Sequence, residues 1–206
     1  MYLDLREMDT RDAYRLLIGT VVPRPIAWVS TVSADGIGNL APFSFFNAVS
    51  SSPPMVVISV GSRGGVPKDT ARNVREVPEF VLNVVNEDVG EAMNATSAEL
   101  SFEHDELALA DLTPLPSTRV RPVRVAESPI HIECKVDQLI SIGTGENTLI
   151  LGEVLAYHIR DDVFDPERKR IRLDRLNALG RLAGDGYCRT RDQFEMIRPD
   201  PNYRGR

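Results

Sequence analysis

The sequence predicts a mainly β fold with short helices, arranged as a closed antiparallel barrel that carries helical additions. Apolar strand-like runs cover residues 26–32, 55–60, 80–85 and 149–157, and residues 129–140 alternate strictly between apolar and polar. Helical patterns are few and short, and many short strands separated by turn residues are typical of barrels. A chain of 206 residues without an internal repeat is expected to form a single domain over residues 1–206.

Composition and charge exclude several classes of function. Hydrophobic residues make up 42% of the chain and the formal net charge is −6, which is ordinary for a globular protein and unfavourable for nucleic acid as a partner. No apolar run is long enough for a membrane helix, and the charged N-terminus lacks the apolar core of a signal peptide. We therefore expect a cytoplasmic protein with no membrane partner.

The cysteines and histidines do not suggest a metal centre or a disulfide framework. Cys134 and Cys188 form no CxxC pair, and two cysteines are too few for a secreted disulfide scaffold. His104, His131 and His158 are far apart and match no metal-ligand spacing. The sequence therefore predicts two free thiols and no metal.

The first half of the chain reads as short elements joined by turns. The apolar periodicity of residues 9–18 predicts a helix that Asp9 or Thr10 caps. The run 26–32 is apolar at nearly every position, which indicates a strand covered on both faces. Ser33–Gly36 predicts a turn. The remaining predictions are strands at 55–60 and 80–85, helices at 67–74 and 87–95, and a flexible glycine-rich loop at 61–65.

The second half is less regular. Residues 97–128 predict loops and short turns, and 161–172 a charged connector. The alternation at 129–140 predicts a half-exposed strand, with Ile130 and Ile132 on the covered face and His131 and Glu133 on the exposed face. Residues 174–182 predict a helix that ends in the turn glycines before Tyr187. The remaining strand is predicted at 149–157.

The segment Lys68-Asp69-Thr70 is the first candidate for a binding site. A proline and a loop precede it and a helical pattern follows. The first amides of a helix lack intrahelical partners, and the helix dipole adds partial positive charge there. A lysine and a hydroxyl at this point would complete an anion or phosphate site. Ordinary capping by Asp69 or Thr70 explains the same pattern.

Two further segments carry groups suited to a ligand. Three aromatic residues, an asparagine and several serines lie in 43–54 before a Pro-Pro pair, and such residues would line a planar ligand. A strand followed by a serine-rich turn explains the same residues. Ser30 and Thr31 end the first apolar strand, where their hydroxyls either face a pocket or bond nearby backbone.

Taken in order, several motifs resemble the flavin reductase-like family of FMN-binding split barrels, in particular its flavoredoxin-type branch. The resemblance covers about residues 14–198. The motifs that carry it are Pro23-Arg24-Pro25-Ile26-Ala27-Trp28-Val29-Ser30-Thr31, Asn39-Leu40-Ala41-Pro42-Phe43-Ser44-Phe45-Phe46-Asn47, Pro53-Pro54, Lys68-Asp69-Thr70-Ala71-Arg72-Asn73, Phe80-Val81-Leu82-Asn83-Val84, Glu127-Ser128-Pro129, Leu151-Gly152-Glu153-Val154 and Ile197-Arg198-Pro199.

The resemblance implies a six-stranded split β-barrel, a homodimer, and one FMN per subunit near the dimer interface. It assigns the FMN phosphate to the 68–70 segment, the isoalloxazine to the aromatic segment, and the flavin edge to the end of the first strand. Relatives usually read Arg-Leu-Gly-Gly where this chain has Ala183 in place of the first glycine. The cofactor-binding residues that it implies are Ser30, Thr31, Phe45, Phe46, Asn47, Ser50, Ser51, Ser52, Lys68, Asp69, Thr70 and Asn73.

The same resemblance implies hydride transfer from NAD(P)H to flavin N5, with onward transfer to free flavin, to a partner oxygenase or to another electron acceptor. The flavin performs the difficult step in such chemistry, so no protein nucleophile or base is predicted. An FMN electron carrier without NAD(P)H activity of its own is the alternative, and a barrel-shaped binding module without flavin is a third hypothesis.

Overall fold

The computed structural model describes residues 1–98, 102, 106–144 and 147–199, and a seven-stranded antiparallel sheet dominates it. The order across the sheet is β2-β1-β5-β6-β7-β4-β3, and every pairing is antiparallel. The strands are β1 (Ala27–Val32), β2 (Gly38–Phe43), β3 (Phe46–Ser51), β4 (Pro54–Val60), β5 (Glu79–Val84), β6 (Ile130–Ile142) and β7 (Asn147–Ile159).

The sheet has one strand more than the six that the sequence analysis predicts. Residues 38–51 supply two strands, β2 and β3, because the chain bends at Ser44 and Phe45 between them. These two strands are the outer members of the strand order, and no ladder among the described residues pairs them. The mainly β, antiparallel class is confirmed, while the closure of the barrel stays a prediction.

Strand β1 is covered on both faces, as its apolar run predicts. Ala27 and Val29 pack into a core cluster with β4, β5 and helix α2 (Asp69–Glu76). Trp28 packs on the opposite face in a second cluster with Leu40 and Met93. The Trp28 indole is fully buried and donates to Thr96 Oγ1 at 2.9 Å. Two core clusters therefore hold β1, one on each of its faces.

Most short helices lie where their patterns predict them. Helix α1 (Thr10–Thr20) begins after Asp9, whose side chain accepts the Asp12 amide. The remaining helices are α3 (Gly90–Ala95), α4 (Glu106–Leu109) and α5 (Leu173–Leu176), with 3₁₀ turns at Leu5–Glu7, Glu87–Val89 and Asp161–Val163. No residue of α1 is buried, and its apolar side stays partly exposed. None of the described helices is long and apolar enough to cross a membrane.

The prediction of a helix over residues 174–182 is wrong beyond its first turn. Asn177 adopts a left-handed conformation with φ of 48°, which ends α5. The chain then forms a hairpin of Leu179–Arg181 with Tyr187–Arg189, and its first strand pairs with Arg24–Pro25. A Cβ at Gly180 would lie 2.9 Å from Cys188 Sγ, so the glycine allows this close pairing rather than ending a helix.

The exposed face predicted for β6 is also wrong for two residues. Glu133 is completely buried and His131 is 6% exposed, because residues 117–125 cover this face of the strand. Glu133 accepts the amides of Thr118 and Arg119 and a hydrogen bond from His158 at 2.5 Å. An alternating strand does not reveal that a distant loop packs over its polar side.

The other short strands form small hairpins outside the large sheet. The glycine-rich loop is a tight turn, in which Gly64 and Gly65 have φ of 55° and 79°, as a primed hairpin turn requires. Cys134 and Cys188 are free thiols. The short paired segments not yet named are Ser62–Arg63 with Val66–Pro67, Pro114–Leu115 with Arg124–Val125, and Phe164–Asp165 with Arg170–Ile171.

Candidate functional site

The N-terminus of α2 is open, and this feature distinguishes the two interpretations of Lys68-Asp69-Thr70. The N-cap residue is Lys68, in extended conformation, and no side chain makes a capping bond. Asp69 and Thr70 are the first two helical residues, so neither of them caps the helix. The amides of the first turn have no intrahelical partner, and they point out of the helix end together with its positive dipole.

Lys68 lies at this helix end, and no described residue provides it with a counter-ion. Its side chain makes no ion pair or hydrogen bond with any residue that the structure describes, and its Nζ lies 6.0 Å from the centroid of the Phe43 ring. By contrast, Asp69 is engaged by Arg72, whose Nη2 lies 2.9 Å from Asp69 Oδ1. The helix start therefore presents an unneutralised positive charge beside an aromatic ring.

Two adjoining cavities meet at Lys68. We call them cavity A, of about 460 Å³, and cavity B, of about 630 Å³. Both volumes are in the range of small-molecule sites. Pro42, Phe43, Lys68 and Ser97 line both cavities. Further residues that line cavity A are Asn39, Arg63, Val66, Arg72, Phe102 and Glu106, and further residues that line cavity B are Tyr14, Phe45, Asn94, Arg181, Asp185 and Tyr187.

A buried hydrogen-bond network fixes the start of α2 against the sheet. Thr31 Oγ1 accepts from Asn39 Nδ2 at 3.2 Å and from Asn73 Nδ2 at 3.1 Å. The same Asn39 amide donates to Thr70 Oγ1 at 3.1 Å. Asn73 is fully buried and its Oδ1 has no hydrogen-bond partner. Thr31 and Asn73 thus lie behind the cavity walls, where they hold α2 in place.

Ser30 points to the opposite side of β1 from Thr31. It is 1% exposed, its hydroxyl donates to the carbonyl of Val123, and Asn83 Nδ2 lies 3.5 Å from its oxygen. Of the two alternatives open for this hydroxyl, the structure shows a bond to neighbouring backbone. Ser30 therefore holds the segment around Val123 against β1. It does not line cavity A or cavity B.

The aromatic segment is divided between cavity B and a third, smaller cavity. Phe45 lines both of them, whereas Phe46 and Asn47 line only the third, which has about 320 Å³ and lies against α1. Asn47 Oδ1 accepts the amide of Ala48. Ser50, Ser51 and Ser52 are exposed at the sheet edge and line none of these three cavities. The structure thus brings Phe45 and Lys68 to one cavity, places Asp69 and Thr70 in the adjoining cavity A, and leaves the three serines apart.

Arg24 organises the site, and the sequence analysis did not single it out. The side chain is buried, and its guanidinium donates to the carbonyls of Ile18, Val21 and Leu182 at 2.6–2.9 Å. It also lies 5.9 Å from the centroid of the Phe45 ring. An arginine between two prolines in an apolar stretch is the signal that would have indicated it.

The C-terminal hairpin contributes the outer wall of cavity B. The Arg181 guanidinium carbon lies 4.5 Å from the centroid of the Tyr187 ring, and the Tyr187 hydroxyl donates to Asn94 Oδ1 at 3.1 Å. Both side chains line cavity B. A stacked guanidinium and ring offer a flat, positively charged surface.

The described residues contain no group of three or more histidine, cysteine, aspartate or glutamate side chains placed to hold a metal ion. His104, one of the three histidines considered above, lies outside the described residues.

An open, cationic helix start beside aromatic walls has the chemistry that suits an anionic, aromatic small molecule. Residues 18–174 match the family model described as flavin reductase like domain, and the chain belongs to that family. A relative from Halalkalibacterium halodurans, described as uncharacterized protein BH2278, is 43% identical and is aligned over 97% of each chain.

Two solved structures show the same fold at higher than 30% identity. Nitrilotriacetate monooxygenase component B from Bacillus cereus is 34% identical, with a TM-score of 0.92 over 95% of this chain and 98% of that one. The 2-nitrobenzoate 2-nitroreductase NbaA from Pseudomonas fluorescens is 32% identical, with a TM-score of 0.89 over 97% and 96% of the two chains.

The site fits a flavin carrying a phosphate. Phosphate is bound well by free helix amides and a lysine at a helix N-terminus, which α2 and Lys68 provide. The flat apolar ring system needs aromatic walls with a few polar groups, which Phe43, Phe45 and Tyr187 provide together with Asn94.

Proposed function

We propose that this protein is an FMN-binding flavin oxidoreductase that takes hydride from NAD(P)H. The observation that carries the proposal is the uncapped N-terminus of α2, with Lys68, which pairs with none of the described residues, at the wall that cavities A and B share. Flavin supplies hydride acceptance at N5 and onward electron transfer when it is bound. The tasks left to this chain are to bind the cofactor, to orient it and to set the charge around it.

The binding residues form two groups: those that contact the cofactor, and those that hold the contacting elements in place. Lys68 and the first amides of α2 hold the phosphate, with Asp69 keeping Arg72 in place and Thr70 anchoring the helix through Asn39. Phe45 packs against the ring, and Phe46 and Asn47 extend its wall toward α1. Ser30, Thr31 and Asn73 act through the strand and the helix that they fix.

Ser50, Ser51 and Ser52 have a separate place in the proposal. Ser50 and Ser51 are exposed on the edge strand β3 and Ser52 is exposed in the turn that follows it, all three away from cavities A and B. We assign them to the ribityl–phosphate portion of FMN at an interface between two copies of the chain, where the resemblance places the cofactor.

The electrons have two destinations in this proposal. The similarity to a protein named as a monooxygenase component supports delivery of reduced flavin to a partner oxygenase, and free flavin is the other acceptor. A carrier that receives its electrons from another protein remains the alternative function, and it differs in having no reaction with NAD(P)H.

An anaerobic absorbance spectrum of the purified chain tests the proposal. Flavin bands that bleach on addition of NADH or NADPH are expected. Flavin bands that persist with both nucleotides support the carrier instead. A protein that shows no flavin and takes up none from added FMN contradicts both functions. Lys135 is an exposed lysine on β6. The variant Lys135→Met is therefore the control for a substitution of Lys68, and it should behave as the wild type.

A further inference from the structure

Arg24 is a buried cation without a carboxylate partner among the residues that the structure describes. Its side chain is 6% exposed, and none of the ion pairs between described residues includes it. An arginine keeps its charge in a protein, and a desolvated charge is costly unless hydrogen bonds and an opposite charge compensate it. The contacts proposed above for FMN do not involve this charge.

Hydrogen bonds fix the Arg24 guanidinium in one orientation. Nη1 donates to the carbonyls of Ile18 and Val21 at 2.7 and 2.6 Å, at the end of α1. Nη2 donates to the carbonyl of Leu182 in the C-terminal hairpin at 2.9 Å, and Nε donates to Ser44 Oγ at 3.3 Å, in the bend between β2 and β3. All four acceptors are neutral, so they hold the cation in place without cancelling its charge.

One aromatic ring separates this charge from cavity B. The guanidinium carbon lies 5.9 Å from the centroid of the Phe45 ring. Phe45 lines both cavity B and the third cavity, and Arg24 lines the third cavity itself. Two unit charges about 10 Å apart, at an effective dielectric constant of about 20, change an equilibrium constant roughly tenfold. The charge of Arg24 therefore acts on a ligand in cavity B without touching it.

The other charged side chains around cavity B do not take this role. Lys68 is assigned to the phosphate by the proposed function. Arg181 and Asp185 also line cavity B, but they lie on the hairpin at its outer wall, and Asp185 is exposed. Because their charges are opposite and water screens them, their net effect on a ligand is small.

We infer that Arg24 is a positioning residue whose buried charge makes cavity B bind reduced flavin more tightly than oxidised flavin. The inference rests on the proposed function and deepens it. A hydride adds two electrons and one proton, so a neutral flavin ring gains one negative charge while NAD(P)H becomes NAD(P)⁺. A fixed cation stabilises the charge that develops in this transfer. Arg24 thus shifts the reduction of bound flavin toward product.

The test compares the affinities of oxidised and dithionite-reduced FMN for the full-length protein under anaerobic conditions, which requires no reaction with NAD(P)H. We expect Arg24→Gln to weaken the binding of reduced FMN about tenfold more than that of oxidised FMN, which corresponds to a fall of about 30 mV in the two-electron potential of the bound flavin. Arg24→Lys keeps the charge but loses the planar fork, and it should stay within about threefold of the wild-type preference. Arg170→Gln, at an exposed arginine that lines none of the three cavities, is the matched control and should leave the preference unchanged.

A measurement on the wild type covers the case in which Arg24→Gln does not fold. Free reduced flavin takes up a second proton in mildly acidic solution, whereas a ring held near a fixed cation stays anionic. Binding of reduced FMN in mildly acidic buffer should therefore release more protons than binding of oxidised FMN, which carries the same phosphate. Calorimetry in two buffers of different ionisation enthalpy measures the difference.

The outcomes separate this inference from the proposed function. An unchanged preference in Arg24→Gln, the same loss of preference in Arg24→Lys as in Arg24→Gln, or equal proton release for the two forms of FMN would overturn the inference. Equal losses of both affinities in Arg24→Gln would give Arg24 a purely structural role and overturn it as well. A wild type that binds neither form of FMN would contradict the proposed function, and the inference with it.

Discussion

At the scale of single residues, buried titratable groups determine how the stability of the fold depends on pH. Glu133 is a carboxylate with no exposed surface. Burial alone would raise its pKa, but amides of Thr118 and Arg119 and the His158 imidazole donate to it, and the net result is a lowered pKa. His131 lies on the same face, and burial lowers its pKa despite a hydrogen bond to the Val125 carbonyl. Both groups bind the backbone of residues 117–125, so their protonation affects how firmly that segment packs over β6.

We predict that acid destabilises the fold through these two groups. A carboxylate with a lowered folded-state pKa contributes stability above its ordinary value of 4.5, and that stability is lost as the pH falls through the folded-state pKa. His131 is held neutral, so its protonation in the unfolded chain lowers stability as the pH falls below its ordinary value of 6.5. Chemical denaturation between pH 7 and pH 3 measures both effects.

The variant Glu133→Gln separates the carboxylate from the histidine. It should reduce the free energy of unfolding at pH 7 by about 1–3 kcal/mol and flatten the loss of stability below pH 4.5, leaving the His131 contribution in place. Glu153→Gln, at an exposed position on β7, should cost less than about 0.5 kcal/mol. An unchanged acid limb in Glu133→Gln would exclude the carboxylate as its source.

At the scale of elements, the sequence predicts the apolar strands and most helices, because burial on one or both faces leaves a periodic pattern. Prediction from the sequence fails where contacts with segments distant in the chain determine the local conformation. The hairpin after Asn177 forms because Leu179–Arg181 pairs with Arg24–Pro25, and no local pattern contains that partner. For the candidate site, helix-start chemistry in the sequence indicates the 68–70 segment. For Arg24 the sequence offers only its place between two prolines, because the carbonyls that it binds are brought together by folding.

The pairing of β6, β7 and β4 depends on a glycine. Gly152 lies between Val136 and Val56, and a Cβ there would lie 2.4 Å from Phe80 Cζ in the core. We predict that Gly152→Ala destabilises the protein by about 1–3 kcal/mol, because the ring has to move within a packed core.

A glycine in α1 provides the matched control for this prediction. Gly19 has open space around its Cα, so Gly19→Ala should be neutral or stabilise by up to about 1 kcal/mol. Urea denaturation of both variants makes the comparison. Equal effects at the two positions would show that the contact with Phe80 does not decide the cost.

At the scale of the whole molecule, charge and apolar surface are distributed unevenly. Glu87 pairs with both Arg189 and Arg191 within one molecule. These contacts anchor the segment that carries Arg189 and Arg191 on its own chain. The apolar side of α1 remains open, with Tyr14, Leu17 and Val21 about half exposed beside Phe45. Such a patch is typical of an interaction surface.

We propose that this patch forms the interface of a homodimer, which would place Phe45 and the edge strand β3 beside a second copy. Sedimentation equilibrium should give the mass of a dimer for the wild type. Leu17→Glu should shift the equilibrium toward monomer, because it puts a charge into an apolar interface. Leu173→Glu, at an equally exposed leucine in α5, should leave the dimer intact. A monomeric wild type at micromolar concentration would refute the interface.

The central claim is that Lys68 and the open start of α2 bind the phosphate of FMN. Comparing the affinities of FMN and riboflavin for the wild type and for Lys68→Met tests it most directly, because riboflavin lacks the phosphate. The account predicts that the variant binds FMN more weakly by about 1.5–3 kcal/mol, roughly 10- to 150-fold, and binds riboflavin as the wild type does. Equal losses for both ligands, or no loss for FMN, would contradict it.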